Sequence, residues 1–279
     1  MGATPNFVPK IWSAKILKEL ENNLVAKQIT NMEYAGEIRG KGDTVFFNSL
    51  SDPTVSAYNG SISSYESMSD AQIAMVVDQA NMFNWKINDV DKHQSNTDLE
   101  SAQVTRSAYM LANEADKHVL GLYAQAGNTI TDASCDSTSI LSTIGEIGVK
   151  LDENNVPQQD RYLVIPPWVK LKLELAGIKF QINDGLKNGK GGLAFTDELG
   201  FRIYVSNNLT NSAATPVTEC IACSGSAIAF AQQINKTEKL RLESDFATAV
   251  RGLHVFGAKV VKPKEMVRVT LTYTAETAI

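Results

Sequence analysis

The chain lacks several features that mark whole classes of protein. No apolar run in its 279 residues reaches the roughly 18 residues that a membrane-spanning helix requires, and the N-terminal residues contain no signal-peptide apolar region. The three cysteines, Cys135, Cys220 and Cys223, are too few for a disulfide framework. We therefore expect a protein that makes no contact with a membrane and is synthesised in a reducing cytoplasm.

Basic residues are missing from one long stretch of the chain. Residues 43–85 contain five acidic residues and no lysine or arginine, whereas residues 251–268 contain five basic residues and one acidic residue. The net charge of -5 disfavours a dedicated nucleic-acid-binding protein, because such domains are usually strongly basic. The small net charge thus conceals a segregation of charge along the sequence.

The sequence also has few motifs that carry catalytic or metal chemistry. Cys220 and Cys223 form a CxxC motif, but it lies in an apolar, strand-like run without a second Cys/His pair at zinc-ligand spacing. The glycine-rich residues 185–192 do not have the spacing of a phosphate-binding loop. No two-histidine metal motif is formed by the scattered histidines, His93, His118 and His254. We expect no enzymatic activity and no catalytic, cofactor-binding or metal-binding residues.

Helical periodicity is strongest in the middle of the chain. Thr97 and Glu100 have the spacing of a capping box, and apolar residues then recur at steps of three and four up to Gly127, a natural helix stop. This stripe predicts a helix over residues 97–126, with Val104, Ala108, Leu111, Ala115, Val119, Leu122 and Ala126 on its apolar face. A Ser/Thr/Asp-rich loop is expected next, followed by a second amphipathic helix that carries Ile140, Ile144, Ile147 and Leu151.

The second half of the chain alternates strands with loops. Residues 161–165 read as a buried strand, which Pro166 and Pro167 end before a helix over residues 168–176. Further strands are predicted at residues 201–206, 219–223, 255–261 and 267–273. The expected fold class is α+β.

Two N-terminal segments contain too few apolar residues for a core of their own. Residues 1–42 form an arm in which Ile16, Leu20 and Leu24 make one helical stripe, and so short a helix is marginal unless it packs on another surface. Residues 43–93 read as an extended hairpin with Asn59-Gly60 as its turn, rich in serine. Both segments need a partner surface, either on this subunit or on a neighbour.

Four stretches resemble the coat proteins of tailed bacteriophages: residues 8–13 (VPKIWS), 161–168 (RYLVIPPW), 203–209 (IYVSNNL) and 251–259 (RGLHVFGAK). The order of arm, extended hairpin, long helix, α+β domain and returning β segment also resembles the Hong Kong 97-type capsid fold. The resemblance implies an N-terminal arm (1–42), an extended hairpin loop (43–93), a peripheral domain with its spine helix (94–137 and 245–279) and an axial domain (138–244).

This resemblance implies a major capsid protein that self-assembles, as hexamers and pentamers, into the icosahedral shell around a phage genome. The alternatives are the shell protein of a cellular nanocompartment with the same fold, and an α+β enzyme with a site near the glycine-rich residues. As partners we expect copies of the chain itself, a separate scaffolding protein, a portal, and double-stranded DNA enclosed without sequence-specific binding. The expected location is the virion, after assembly in the bacterial host cytoplasm.

The same layout implies which residues meet neighbouring subunits. We expect contacts from the arm stripe and from the hairpin turn, and we expect the hairpin acids Glu66 and Asp70 to face the basic Lys262 and Lys264 of another subunit. Because residues 43–85 contain no lysine, we expect the shell to be held without covalent cross-links through this hairpin.

Overall fold

The computed structural model of the chain describes residues 26–33, 42–50, 55, 57, 70–88, 99–176, 193–194, 200–211, 217–242 and 246–275. Within these ranges, no helix is both long enough and apolar enough to cross a membrane. The glycine-rich residues 185–192 and the proposed hairpin turn lie outside the described residues.

Three α-helices confirm the periodicity of the sequence: α1 (Leu99–Leu120), α2 (Ser139–Glu153) and α3 (Pro167–Leu175). Short 3-10 turns occupy Ala26–Gln28, Gly121–Gln125 and Pro263–Glu265. The predicted long helix is therefore shorter than expected, since its last turn tightens at Gly121, a residue with low helix propensity. Thr97 of the predicted capping box lies outside the described residues.

The strands of the described residues, in chain order, are β1 (Thr44–Leu50), β2 (Asp70–Val76), β3 (Gln79–Asn88), β4 (Asn128–Cys135), β5 (Arg161–Ile165), β6 (Leu193–Ala194), β7 (Arg202–Val205), β8 (Thr210–Asn211), β9 (Val217–Ser224), β10 (Ile228–Arg241), β11 (Ala247–Val260) and β12 (Met266–Tyr273). A large mixed sheet has the order β4-β12-β9-β5-β7-β6, with β8 paired to β9. A smaller antiparallel sheet has the order β10-β11-β3, and β1 pairs with β2. The α+β class is thus confirmed.

The prediction of a Ser/Thr/Asp-rich loop after the long helix was wrong. Residues 128–135 form the edge strand β4, which runs parallel to β12. Only Ile130 and Cys135 are buried among its residues, so the strand is mostly polar and has the composition of a loop. Its extended conformation depends on pairing with residues 267–273, which lie far away in the sequence. Strand β10 was not predicted, β3 lies within the predicted extended residues 43–93, and the strand predicted at residues 255–261 is the second half of β11.

The main core lies between α2 and one face of the large sheet. The inward residues of α2 are those that the sequence predicted, Ile140, Ile144, Ile147 and Leu151, and each is at most 2% exposed. They pack with sheet residues that include Leu163, Cys220, Val269 and Leu271. Complete burial of one such side chain contributes roughly 1.5–3 kcal/mol of favourable transfer free energy.

Helix α1 packs on the smaller sheet. Its buried residues Val104, Ala108, Leu111 and Ala112 form a cluster with the rings of Phe83 and Trp85 from β3. The indole Nε1 of Trp85 also donates to Oγ of Ser107 at 3.1 Å. The predicted inward face of the long helix is therefore confirmed, including Ala115 and Val119, which are fully buried.

Candidate assembly surfaces

The residues expected at subunit contacts divide into two groups. The arm stripe, the hairpin turn and one hairpin acid lie outside the described residues: Ile16, Leu20, Leu24, Asn59, Gly60 and Glu66. Asp70 is the first residue of β2, where it pairs with Leu50. Lys262 and Lys264 flank Pro263 at the turn before β12. The structure therefore places only the two lysines with their surroundings.

The charge of Lys262 is already matched within its own subunit. Its Nζ lies 2.9 Å from Oε1 of Glu265 and also contacts Oγ of Ser226. The side chain of Lys264 is exposed, while its carbonyl oxygen accepts from Nδ2 of Asn128 at 3.1 Å. An acidic hairpin from a neighbour would thus compete with Glu265 at Lys262, which makes Lys264 the better candidate.

The root of the hairpin is fixed on the smaller sheet. The side chains of β1 and β2 alternate between two faces. Val45 and Met75 point inward, whereas Phe46 and Val76 point outward and are 59% and 49% exposed. The inward residues, Val45, Phe47, Met75 and Val77, pack with Ala229, Ala231 and Val255 of β10 and β11. Gly257 permits this approach, because a Cβ there would lie 2.9 Å from the carbonyl oxygen of Val76. Residues 51–69 thus connect two strands whose position on the subunit is fixed.

The described end of the N-terminal arm, which we call the arm root (residues 26–32), lies where the two sheets meet. Ala26 and Ile29 are fully buried in the main core. Asn31 forms a parallel bridge with Ala229, in which its N–H donates to the Ile228 carbonyl at 2.8 Å and its carbonyl accepts from the Phe230 N–H at 2.9 Å. The arm root therefore joins the large core to the first residues of β10.

A buried carboxylate on α1 makes a second attachment to the arm root. Asp116 is 1% exposed, and its Oδ1 accepts from the backbone N–H of Ala26 at 2.7 Å. Its Oδ2 accepts from Nδ2 of Asn208 at 2.8 Å. Burial raises the pKa of the Asp116 carboxyl, while the hydrogen bonds from Asn208, Ala26 and Ser206 oppose this rise.

The sequence reasoning missed Asp116, although one pattern pointed to it. Residue 116 lies four positions after Ala112 and four before Leu120, both buried, so it falls on the apolar face of α1. An aspartate at such a position costs several kcal/mol unless hydrogen-bond donors surround it. A charged residue inside an apolar helical stripe is therefore a sequence-level indication of a buried polar contact.

The smaller sheet exposes apolar side chains on the face opposite α1. Phe83 and Trp85 point to the helix, so alternation directs Met82 to the other face, where it is 72% exposed. Arg251 and Glu238 form an ion pair beside it. These residues line a shallow cavity of about 330 Å³, together with Phe83, Asn84, Gly252 and Leu253. Met82 is thus an exposed apolar side chain beside an ion pair on this face of the sheet.

The two cysteines of the CxxC motif lie in the core and not on a surface. Cys220 and Cys223 lie in β9, as the apolar run predicted, and both thiols are free and fully buried. Burial raises the pKa of the Cys223 thiol to about 12 and that of Cys220 still further, which keeps both thiols protonated. No group of three or more potential metal ligands exists within the described part of the chain.

Comparison with known proteins gives one family and several related structures. The profile of a family described as phage capsid protein matches residues 66–269. A structure from Mycobacterium phage Che8 has a TM-score of 0.72 and 29% identity, covering 88% of this chain and 90% of that one. The capsid structure of cyanophage P-SCSP1u has a TM-score of 0.64 and 20% identity, covering 88% and 86%.

A virus-like particle from Pyrococcus furiosus is similar as well, with a TM-score of 0.59 and 12% identity over 94% of this chain and 98% of that one. At this identity the likeness shows a common fold and nothing more. A comparison with curated protein sequences finds no match.

Proposed function

The chain belongs to the phage capsid protein family, and we propose that it is the subunit from which hexamers and pentamers of a tailed-phage shell are built. It is a structural major capsid protein, and its α+β fold is of the Hong Kong 97 type. The family match carries this conclusion, because it runs from inside the hairpin loop, at residue 66, to the middle of β12, at residue 269. Self-association and a place in the virion follow from family membership.

We infer further partners from the resemblance of the chain to the coat proteins of tailed phages. Double-stranded DNA is the proposed content of the shell, and the net charge of -5 disfavours sequence-specific binding, because such binders usually carry a strongly basic domain. A separate scaffolding protein and a portal are proposed as assembly partners, with assembly in the host cytoplasm. The proposed domains remain an arm (1–42), a hairpin loop (43–93), a peripheral domain (94–137 and 245–279) and an axial domain (138–244). Pairing crosses these boundaries, since β3 and β10 both pair with β11.

A second candidate function is the shell of a cellular nanocompartment. The Pyrococcus furiosus particle supports this candidate through its fold, at 12% identity. The 29% identity to the phage Che8 structure favours the phage capsid. The two functions differ in their contents, because a phage shell encloses a genome and a nanocompartment encloses proteins.

The experiment is expression of the chain in bacteria, alone and with candidate scaffolding and portal proteins from the same phage. Sedimentation and negative-stain microscopy should show closed shells in at least one of these conditions. Nuclease-treated particles from infected cells should then release double-stranded DNA. Particles that contain only a specific cargo enzyme would support the nanocompartment, and a monomer that binds a small molecule in every condition would support an enzyme.

We also propose that the hairpin acids meet basic residues of a neighbouring subunit. The observation is charge segregation, combined with the exposed position of Lys264 and the internal pairing of Lys262. Reversal by Glu66→Lys with Asp70→Lys should slow assembly at low salt, because complementary charge mainly accelerates correct encounter. Lys264→Glu should restore part of the rate, and Lys262→Glu should restore less. Wild-type assembly by the double reversal would show that the acids are only solvated.

A further inference from the structure

The Asp116 carboxylate connects three parts of the chain that are distant in sequence. It belongs to α1, its Oδ1 accepts from the Ala26 N–H of the arm root, and its Oδ2 accepts from Asn208, which follows β7. Asn208 is itself held, because its N–H donates to Oγ of Ser206 at 3.1 Å. The carboxylate therefore sets the distance between the arm root, the long helix and the large sheet.

Among the described residues, the groups that hydrogen-bond to Asp116 are neutral: the Ala26 backbone, Asn208 and Ser206. A buried carboxylate held by neutral donors is a costly arrangement, and an apolar residue at position 116 would pack without that cost. The N–H of the buried Ala26 is the first of the 3-10 turn, so without an acceptor it would be an unsatisfied donor. Asp116 therefore supplies the acceptor that the buried Ala26 N–H requires.

The arm root is attached at two points. Asp116 holds Ala26 at one end, and the backbone of β10 holds Asn31 at the other. Between them the Ile29 side chain is fully buried, and Thr30 Oγ1 donates to the Ala26 carbonyl at 2.9 Å. Without the Asp116 contact, the Ala26 end of residues 26–30 keeps only its apolar packing, while the hydrogen bonds of Asn31 to β10 remain.

We propose that Asp116 is a positioning residue for assembly, which fixes where residue 25 joins the subunit and so where the arm of residues 1–25 reaches. This inference rests on the proposed function, in which the arm contacts a neighbouring subunit. Loss of the Asp116 contact releases one end of the arm root while β10 still holds the other. The arm is then misdirected in a subunit that remains folded.

Exchanging the carboxylate of Asp116 and the amide of Asn208 distinguishes a positioning role of Asp116 from a general effect on the stability of the subunit. Asp116→Asn offers one acceptor to two donors. If its amide oxygen accepts from the Ala26 N–H, its NH₂ faces the NH₂ of Asn208, and in the reverse orientation its NH₂ faces the Ala26 N–H, so the site is mismatched either way. Asn208→Asp instead sets two carboxylates against each other. The double exchange restores one donor facing one acceptor at nearly unchanged volume. Glu114→Gln is the matched control, since it removes an exposed ion pair with Lys117 on the same helix.

Trypsin cleavage after Lys27 reports the arm root in the unassembled subunit, because Lys27 lies inside the 3-10 turn that Asp116 holds. Asp116→Asn should accelerate this cleavage about tenfold, which corresponds to about 1.4 kcal/mol of local opening. Its shell yield should fall at least about tenfold. The double exchange should return both quantities to within about threefold of wild type, and Glu114→Gln should change neither.

Ala26→Pro removes the same N–H from the arm root and leaves α1 intact, so it should reproduce both defects even if Asp116→Asn does not fold. Proline is tolerated at the first position of a helical turn. Wild-type cleavage and wild-type shell yield in Asp116→Asn or in Ala26→Pro would overturn the proposal. So would a failure of the double exchange to restore Lys27 protection. If the wild-type chain forms no shells, the proposed function fails, but the Lys27 measurement still tests the attachment of the arm root.

Discussion

Acidification should destabilise the subunit through one buried histidine. His254 lies on β11 at 1% exposure, and its ring stacks on Phe256 with 5.1 Å between centroids. Neither ring nitrogen has a hydrogen-bond partner among the described residues. Burial therefore lowers the pKa of His254 from 6.5 to about 4. The neighbouring His118 of α1 meets the same Phe256 ring edge-on at 5.5 Å.

The sign of the effect follows from proton binding. Between pH 6.5 and about 4 the unfolded chain binds more protons at position 254 than the folded chain does. The contribution of His254 is thus fully present above pH 6.5 and is lost as the pH falls through this window. At about 1.4 kcal/mol per pKa unit, acidification to pH 4 removes about 3 kcal/mol. Such a loss is a large fraction of the stability of an ordinary domain.

The assay is urea unfolding of the unassembled subunit at several values between pH 7 and pH 4.5, for wild type and for His254→Leu. Carboxylates titrate in both proteins, so the difference between the two profiles isolates the histidine. We expect the wild-type protein to lose about 2 to 3 kcal/mol more than the variant over this range. The matched control, His118→Leu, should change the profile less, because burial lowers the pKa of His118 while Asp78 opposes the shift. Parallel profiles for wild type and His254→Leu would refute this reasoning.

Three further outcomes are expected. Gly257→Ala should destabilise the subunit by about 1 to 3 kcal/mol in urea unfolding, since its Cβ would meet the Val76 backbone. The control Gly145→Ala in α2 places its Cβ in open space and should stabilise the subunit by up to about 1 kcal/mol. Equal effects of the two substitutions would contradict the close approach at Gly257. Leu20→Asp should lower shell yield with little change in melting temperature, and a normal yield would contradict docking of the arm. Mature particles boiled in SDS with reductant should give one band near 30.4 kDa, and a ladder of covalent oligomers would contradict non-covalent assembly.

Regular periodicity is the part of this fold that could be predicted from sequence. The long helix and α2 each repeat apolar residues at helical spacing, and their predicted inward residues are buried. Strand β4 could not be predicted in this way, because its eight residues bury only two side chains and its conformation depends on pairing with β12. Local composition carries no information about a partner strand more than 130 residues away.

The assembly surfaces were less accessible to prediction. Charge counts identified the acidic hairpin and the basic C-terminal stretch, but they could not show that Glu265 already pairs with Lys262. Exposure of Met82 depends on which face of β3 packs against α1, which only the three-dimensional arrangement shows. Asp116 was recognisable as a charge in an apolar stripe, whereas its contact with Ala26 joins residues 90 positions apart.

Cryo-electron microscopy of particles assembled from this chain tests the central claim most directly. We expect a closed icosahedral shell in which every hexamer and pentamer position is occupied by this α+β subunit, with the arm root held against Asp116. A chain that stays a monomer or a small oligomer, even with scaffolding and portal proteins from its own phage, would contradict the assignment as a major capsid protein.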